Sequence, residues 1–138
     1  MKLETQVTGN IGMYYACYKL SCMGWNVMPT ARNARGIDII AYNKEGTDFI
    51  GVQVKALSKR NPVPLGNSLD KFMGDFLFIV NNVLKELNVF VLLTEEVTSL
   101  AHRSEKDGRI SYWLQPTSYD QPQFKEAWQR IGFGHESA

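Results

Sequence analysis

The stretch GIDIIAYNKEGTDFIGVQVKA, residues 36 to 56, constrains this chain most. Two runs of β-branched and apolar residues flank the turn KEGT, the pattern of a hairpin made of two long strands. A two-residue loop pairing Lys44 with Thr47 and a four-residue loop pairing Asn43 with Asp48 both set Asp38 directly opposite Gln53. Opposed side chains of this kind have Cβ atoms about 5 Å apart. Side chains alternate along a strand, so Asp38, Gln53 and Lys55 fall on one face, while Ile37, Ile39, Val52 and Val54 share the other and cover a core. A slip of one residue would bury Asp38, and that cost favours this register.

Around the hairpin the chain reads as an α/β or α+β domain with a central sheet. Thr5 to Met23 has helical periodicity, with one apolar stripe through Ile11, Tyr15, Tyr18 and Cys22 and another through Met13, Ala16, Leu20 and Met23. Gly24 stops it. WNVMPT is a short first strand, and ARNARG a polar loop before the hairpin. SKRNPVPLGNS reads as a loop, DFLFIV and NVFVLLT as strands, EEVTSLAHR as a helix and EKDGR as a turn. SYWLQP is a last short strand, Phe124, Ala127, Trp128 and Ile131 mark an amphipathic helix, and the tail after Gly132 is expected to fray.

At 138 residues the chain is expected to be a single domain, residues 1–138, with a core large enough to need no staples. Fifteen Lys and Arg against fourteen Asp and Glu give a net charge of +1, so only local clustering can speak for a polyanionic partner. Cys17 and Cys22 point in different directions on one helix and match no zinc spacing. MKLETQVTGN has no apolar run of the signal-peptide kind, and FLFIVNNVLKELNVFVLL is broken by Asn81, Asn82, Lys85, Glu86 and Asn88. A cytoplasmic protein without membrane contact is therefore expected.

A carboxylate, an amide oxygen and an ammonium converging on one sheet face suit phosphodiester chemistry. Asp38 and Gln53 offer hard oxygen ligands for Mg²⁺, and Lys55 could orient a water and stabilise charge on a phosphate. Arg32, Arg35, Lys44, Lys59 and Arg60 lie in loops beside this hairpin, where cations could contact a phosphate backbone without reading sequence. The simplest alternative is an Asp38–Lys55 surface salt bridge. His102 and His135 lack partners with catalytic spacing, and Trp25, Trp113 and Trp128, like Tyr14, Tyr15 and Tyr18, are read as packing residues.

GIDIIAYNKEGTDFIGVQVKA resembles the core of the PD-(D/E)XK nuclease superfamily: an acid on one strand, then Glu or Gln, any residue and Lys on the next. Preceded by GNIGMYYACYKLSCMGWNV, it is most similar to the Holliday junction resolvase-like branch, and GDFLFIV and FKEAWQRIG resemble small stand-alone bacterial members. The likeness spans roughly residues 5 to 57. It implies a restriction-endonuclease-like α/β fold with a central mixed sheet flanked by helices, and a metal-dependent endonuclease hydrolysing DNA with Mg²⁺ or Mn²⁺. It further implies catalytic Asp38, Gln53 and Lys55, and a metal held by Asp38, Gln53 and the Val54 carbonyl. Many members add a Glu from the first helix, and Met13 stands there in this chain. Gln6 and Asn10, on nearly the same helical face, are candidates with Arg32, Arg35, Lys59 and Arg60 for phosphate or DNA contact. A homodimer is expected by family analogy, since two cuts need two sites. With Met13 and Gln53 replacing acids, the alternative is a degenerate member acting as a nucleic-acid-binding or protein-interaction module.

Overall fold

A computed structural model describes residues 2–31 and 36–135. The chain begins with helix α1, Thr5–Cys22, followed by strands β1, Asn26–Pro29, β2, Ile39–Tyr42, and β3, Phe49–Ala56. Next come β4, Val63–Gly66, a 3-10 turn at Leu69–Lys71, β5, Phe76–Asn81, and β6, Asn88–Leu93. Helix α2, Thr94–Leu100, leads into the hairpin β7, His102–Lys106, and β8, Arg109–Leu114. A short α3, Pro116–Tyr119, and a 3-10 turn at Trp128–Arg130 complete the order.

The central sheet runs β1-β2-β3-β5-β6 and is mixed, because β3 and β5 are parallel while every other neighbouring pair is antiparallel. Every residue of β5 is buried, which explains why FLFIV is apolar without alternation: both faces of this strand are covered. On one face lies α1, with Trp128 set edge-on against Phe78 at 5.3 Å between ring centres. On the other lies a second sheet, β4-β8-β7, whose Val63, Leu65 and Leu114 pack with Leu77, Ile79 and Val97. The parallel step from β3 to β5 thus crosses over through a strand and one 3-10 turn, and the second sheet with α2 covers the face where a crossover helix would sit.

Helix α1 buries a narrow line, Thr8, Gly12, Ala16 and Leu20, four residues apart. These side chains are mostly small, so the helix lies close to β3: a Cβ at Gly12 would come within 2.6 Å of the Ala56 Cβ. Met13, Ala16, Leu20 and Met23 pack as the second predicted stripe requires, and Ile11 and Tyr15 of the first are partly buried against the core, but Tyr18 and Cys22 of that first stripe are exposed. Tyr14, read as a packing residue, is 67% exposed.

The C-terminal segment also departs from expectation. No amphipathic α-helix forms over Phe124 to Ile131. Instead Phe124 O accepts from Val91 N–H at 2.8 Å and Glu126 N–H donates to Val89 O at 2.8 Å. The segment spends its backbone hydrogen bonds on the otherwise open edge of β6, a use that competes with helix formation. The tail is docked as far as His135: Gly134 N–H donates to Met23 O, Lys44 N–H to Gly134 O, and the Trp25 indole to Gly132 O. No described helix is long and apolar enough to cross a membrane.

Candidate functional site

The β2–β3 hairpin has the register expected from its turn. Asn43 N–H donates to Asp48 O, and the Asn43 side-chain oxygen accepts from the N–H groups of Thr47 and Asp48 at 2.8 and 2.9 Å. Gly46 takes a φ of +71°, which a side chain would resist. The ladder then runs from Tyr42 opposite Phe49 to Ile39 opposite Val52.

At Asp38 the two strands part. Asp38 N–H donates to Val52 O at 2.9 Å, the residue that already faces Ile39, so two residues oppose one in the manner of a β-bulge. The direct Asp38–Gln53 opposition of the simple hairpin is thereby displaced. The Asp38 carboxylate instead accepts the Val54 N–H at 2.7 Å, just beyond the last ladder pair. Both main-chain polar groups of a strand residue leave by the same edge, so the Val54 carbonyl faces the gap that Asp38 occupies. From the other side Thr30 N–H donates to Asp38 O at 2.9 Å and the Thr30 hydroxyl to Ile37 O at 2.6 Å. The acid is held from two strands, with one carboxylate oxygen committed to Val54.

This gap opens into a cleft of about 450 Å³ between α1 and the sheet. Asp38, Val54 and Thr30 line one side, and Gln6, Asn10, Met13 and Tyr14 of α1 line the other. Gln6, Asn10 and Met13 therefore line the same cleft as Asp38, across from it. Met13, where the family resemblance would place a Glu, sits in the same cleft.

Gln53 and Lys55 share a face, as alternation requires, and stand opposite Leu77 and Ile79 in the parallel ladder. Val54 and Ala56 face α1, so Gln53 and Lys55 emerge toward the second sheet and do not line the cleft that Asp38 lines. This corrects the single polar face expected for Asp38, Gln53 and Lys55, because the irregularity at Asp38 breaks the simple alternation that placed it with them. The Gln53 side-chain oxygen is buried and, among the described residues, is the one such buried side-chain atom without a hydrogen-bond partner. Leaving an acceptor so costs about 1–3 kcal/mol. Neither Asp38 nor Lys55 forms an ion pair among the described residues, so the surface salt bridge that would explain them structurally is absent there.

The loop cations divide. Arg60 is tied to Asp120 at 2.7 Å and Lys59 is exposed; neither lines the cleft. Arg32 and Arg35 lie outside the described residues. No group of three or more His, Cys, Asp or Glu side chains is placed to hold a metal among the described residues, so a cation here would depend on amide and carbonyl oxygens beside a single carboxylate. Sequence reasoning missed Tyr14 as a cleft residue; its place four residues after Asn10 and eight after Gln6 was the available signal.

No protein-family model and no curated protein matches this chain. Among solved structures, the bacterial homing endonuclease I-Ssp6803I aligns over 94% of this chain and 93% of its own, with a TM-score of 0.61 and 21% identity. This chain shares the fold of that protein. Its α1, mixed sheet and flanking helices form an α/β architecture similar to that of a homing endonuclease, and the likeness extends over nearly the whole length of both chains. At this identity the likeness describes the fold, and the chemistry rests on the residues at the β2–β3 gap.

Proposed function

We propose that this chain is a metal-dependent nuclease of the PD-(D/E)XK type, a single nuclease-like domain that hydrolyses phosphodiester bonds of DNA. The observation that carries this reading is the Asp38 carboxylate fixed against the Val54 N–H where β2 and β3 part. The likeness to a homing endonuclease supports the same reaction class.

The donors fit a hard divalent cation. Asp38 keeps one carboxylate oxygen beyond that used by Val54, the Val54 carbonyl leaves by the same edge, and the Gln53 oxygen has no hydrogen-bond partner among the described residues. Asp38 and the Val54 carbonyl would hold Mg²⁺ or Mn²⁺ at the gap, and Gln53, which leaves the other face of β3, would have to turn its amide around the end of the ladder to join them. Such ions prefer oxygen ligands and retain waters of their own. Such an ion, when bound, polarises a phosphoryl oxygen and acidifies a water. Lys55, two residues from Gln53 on the same face, supplies the positive charge that orients an attacking water and stabilises the phosphate as charge accumulates. Thr30 and Val52 hold the Asp38 backbone, so the carboxylate need not be ordered when substrate arrives. Gln6 and Asn10 line the cleft as neutral groups able to hydrogen-bond a nucleic acid.

Met13 in the cleft favours a second reading, a nucleic-acid-binding protein that no longer cuts, because it leaves Asp38 as the one formal negative charge of the donor set. A cleavage assay separates the two. Plasmid, linear duplex, single-stranded and branched DNA are incubated with the protein while Mg²⁺ or Mn²⁺ is titrated from zero. The nuclease reading expects cleavage of at least one form that saturates with metal and disappears in EDTA. Binding without metal-dependent cleavage of any of them would select the second reading.

A further inference from the structure

The cleft wall formed by α1 contains a glycine that protein packing does not explain. Gly12 is needed because the helix lies on β3 there: a Cβ would approach Ala56 to 2.6 Å. Gly9, one turn earlier, is different. A Cβ at Gly9 would meet no atom of the described residues within 4 Å, and its φ is not in the left-handed region. A glycine inside a helix weakens it relative to alanine, so this position sacrifices helix stability without a packing gain. The space it leaves opens into the cleft, flanked by Gln6 and Asn10 and lined also by Tyr14, an aromatic ring left two-thirds in solvent.

Resting on the nuclease reading for the position of the phosphate, we infer that this wall is a nucleobase subsite, in which Tyr14 stacks on an unpaired base adjoining the phosphodiester at Asp38. The amides of Gln6 and Asn10 each carry a donor and an acceptor, as the edge of a base does. Gly9 admits the nucleotide close to the helix backbone. A base can lie on an exposed tyrosine beside hydrogen-bonding amides only after leaving its own stack, so the subsite selects single-stranded or extruded nucleotides over intact duplex.

The test uses the full chain in EDTA with a single-stranded oligonucleotide carrying 2-aminopurine, whose fluorescence is quenched by stacking. The wild-type protein quenches it on binding, and Tyr14→Phe, which keeps the ring, does the same. Tyr14→Ala loses the quench and binds about tenfold more weakly. Tyr18→Ala removes another exposed α1 tyrosine outside the cleft and leaves both readings unchanged. Gly9→Ala raises the unfolding midpoint by about 4 °C while weakening binding, two effects that a merely structural position would not separate. No quench with the wild type, an unchanged quench in Tyr14→Ala, or an equal loss in Tyr18→Ala overturns the subsite. Since the signal is read without metal, cleavage that persists beside a quench indifferent to Tyr14 discards the subsite and keeps the nuclease. A Tyr14-dependent quench in a protein that never cuts does the reverse.

Discussion

Asp38→Asn is expected to leave the fold standing while metal-dependent cleavage falls on the order of a thousandfold or more. Asparagine keeps a side-chain oxygen that can accept the Val54 N–H, so the bulge and the end of the β2–β3 ladder retain their hydrogen bond. Unfolding stability should therefore change by no more than about 1 kcal/mol. What disappears is the one formal charge among the proposed oxygen donors, and with it the attraction for a divalent cation. Asp38→Ala goes further, leaving the Val54 N–H without its acceptor at an additional cost of about 1–3 kcal/mol. Paired measurement of cleavage rates and urea midpoints separates charge from scaffolding. An Asp38→Asn variant that cuts like the wild type would reduce Asp38 to a structural hydrogen-bond acceptor.

Gly12→Val should cause the largest loss of stability. The first added carbon would lie 2.6 Å from the Ala56 Cβ and 3.5 Å from Val54 Cγ1, and two methyl groups must follow it. Helix α1 cannot stay where it is, and Ala16 and Leu20, both fully buried, must shift with it. Forcing volume into a close-packed contact costs about 1–3 kcal/mol, and this substitution should reach or pass the upper end. That is a large share of the roughly 5–15 kcal/mol that holds a domain folded. Displacing α1 also widens the cleft, whose opposite side carries Asp38 and Val54. A urea midpoint well below wild type is expected, with partial recovery when Ala56→Gly is added to the milder Gly12→Ala, because the pair exchanges which partner carries the carbon. An unchanged midpoint in Gly12→Val would mean that the helix does not rest on β3 through this contact.

The hairpin was legible because local chemistry specifies it. Asn43 and Gly46 define the turn, and the turn sets the register down to Ile39 and Val52. The bulge at Asp38 was not legible, since it depends on Thr30 approaching from β1 and on the Val54 N–H lying open beyond the ladder. Strand β4 was read as loop because of its prolines, yet Val63 and Leu65 alternate inward and Pro64 is exposed on a strand at the edge of the second sheet, the setting in which proline is tolerated. His102 and Arg103 were assigned to a helix that ends at Leu100. They belong to β7, and the Asp107–Gly108 pair between β7 and β8, with φ of +53° and +76°, is a hairpin signal read only as a turn. The C-terminal segment carried helical periodicity, but its backbone was claimed by the edge of β6, a tertiary demand that no local pattern encodes. Site residues on α1 followed helical spacing and met in the cleft, whereas Tyr14 was misread because an aromatic on a helix usually packs.

The central claim is that the oxygens of Asp38, Gln53 and Val54 hold one divalent cation at the gap between β2 and β3. Crystals soaked in Mn²⁺, measured for its anomalous scattering, test this directly. The expected result is a single strong peak bonded to the Asp38 carboxylate, the Gln53 side-chain oxygen and the Val54 carbonyl, at the short distances of Mg²⁺-like coordination of about 2.0–2.2 Å. The same peak should be absent from Asp38→Asn crystals soaked identically. Density for Mn²⁺ elsewhere on the chain while this gap stays empty, or a peak that persists unchanged without the Asp38 charge, would contradict the account.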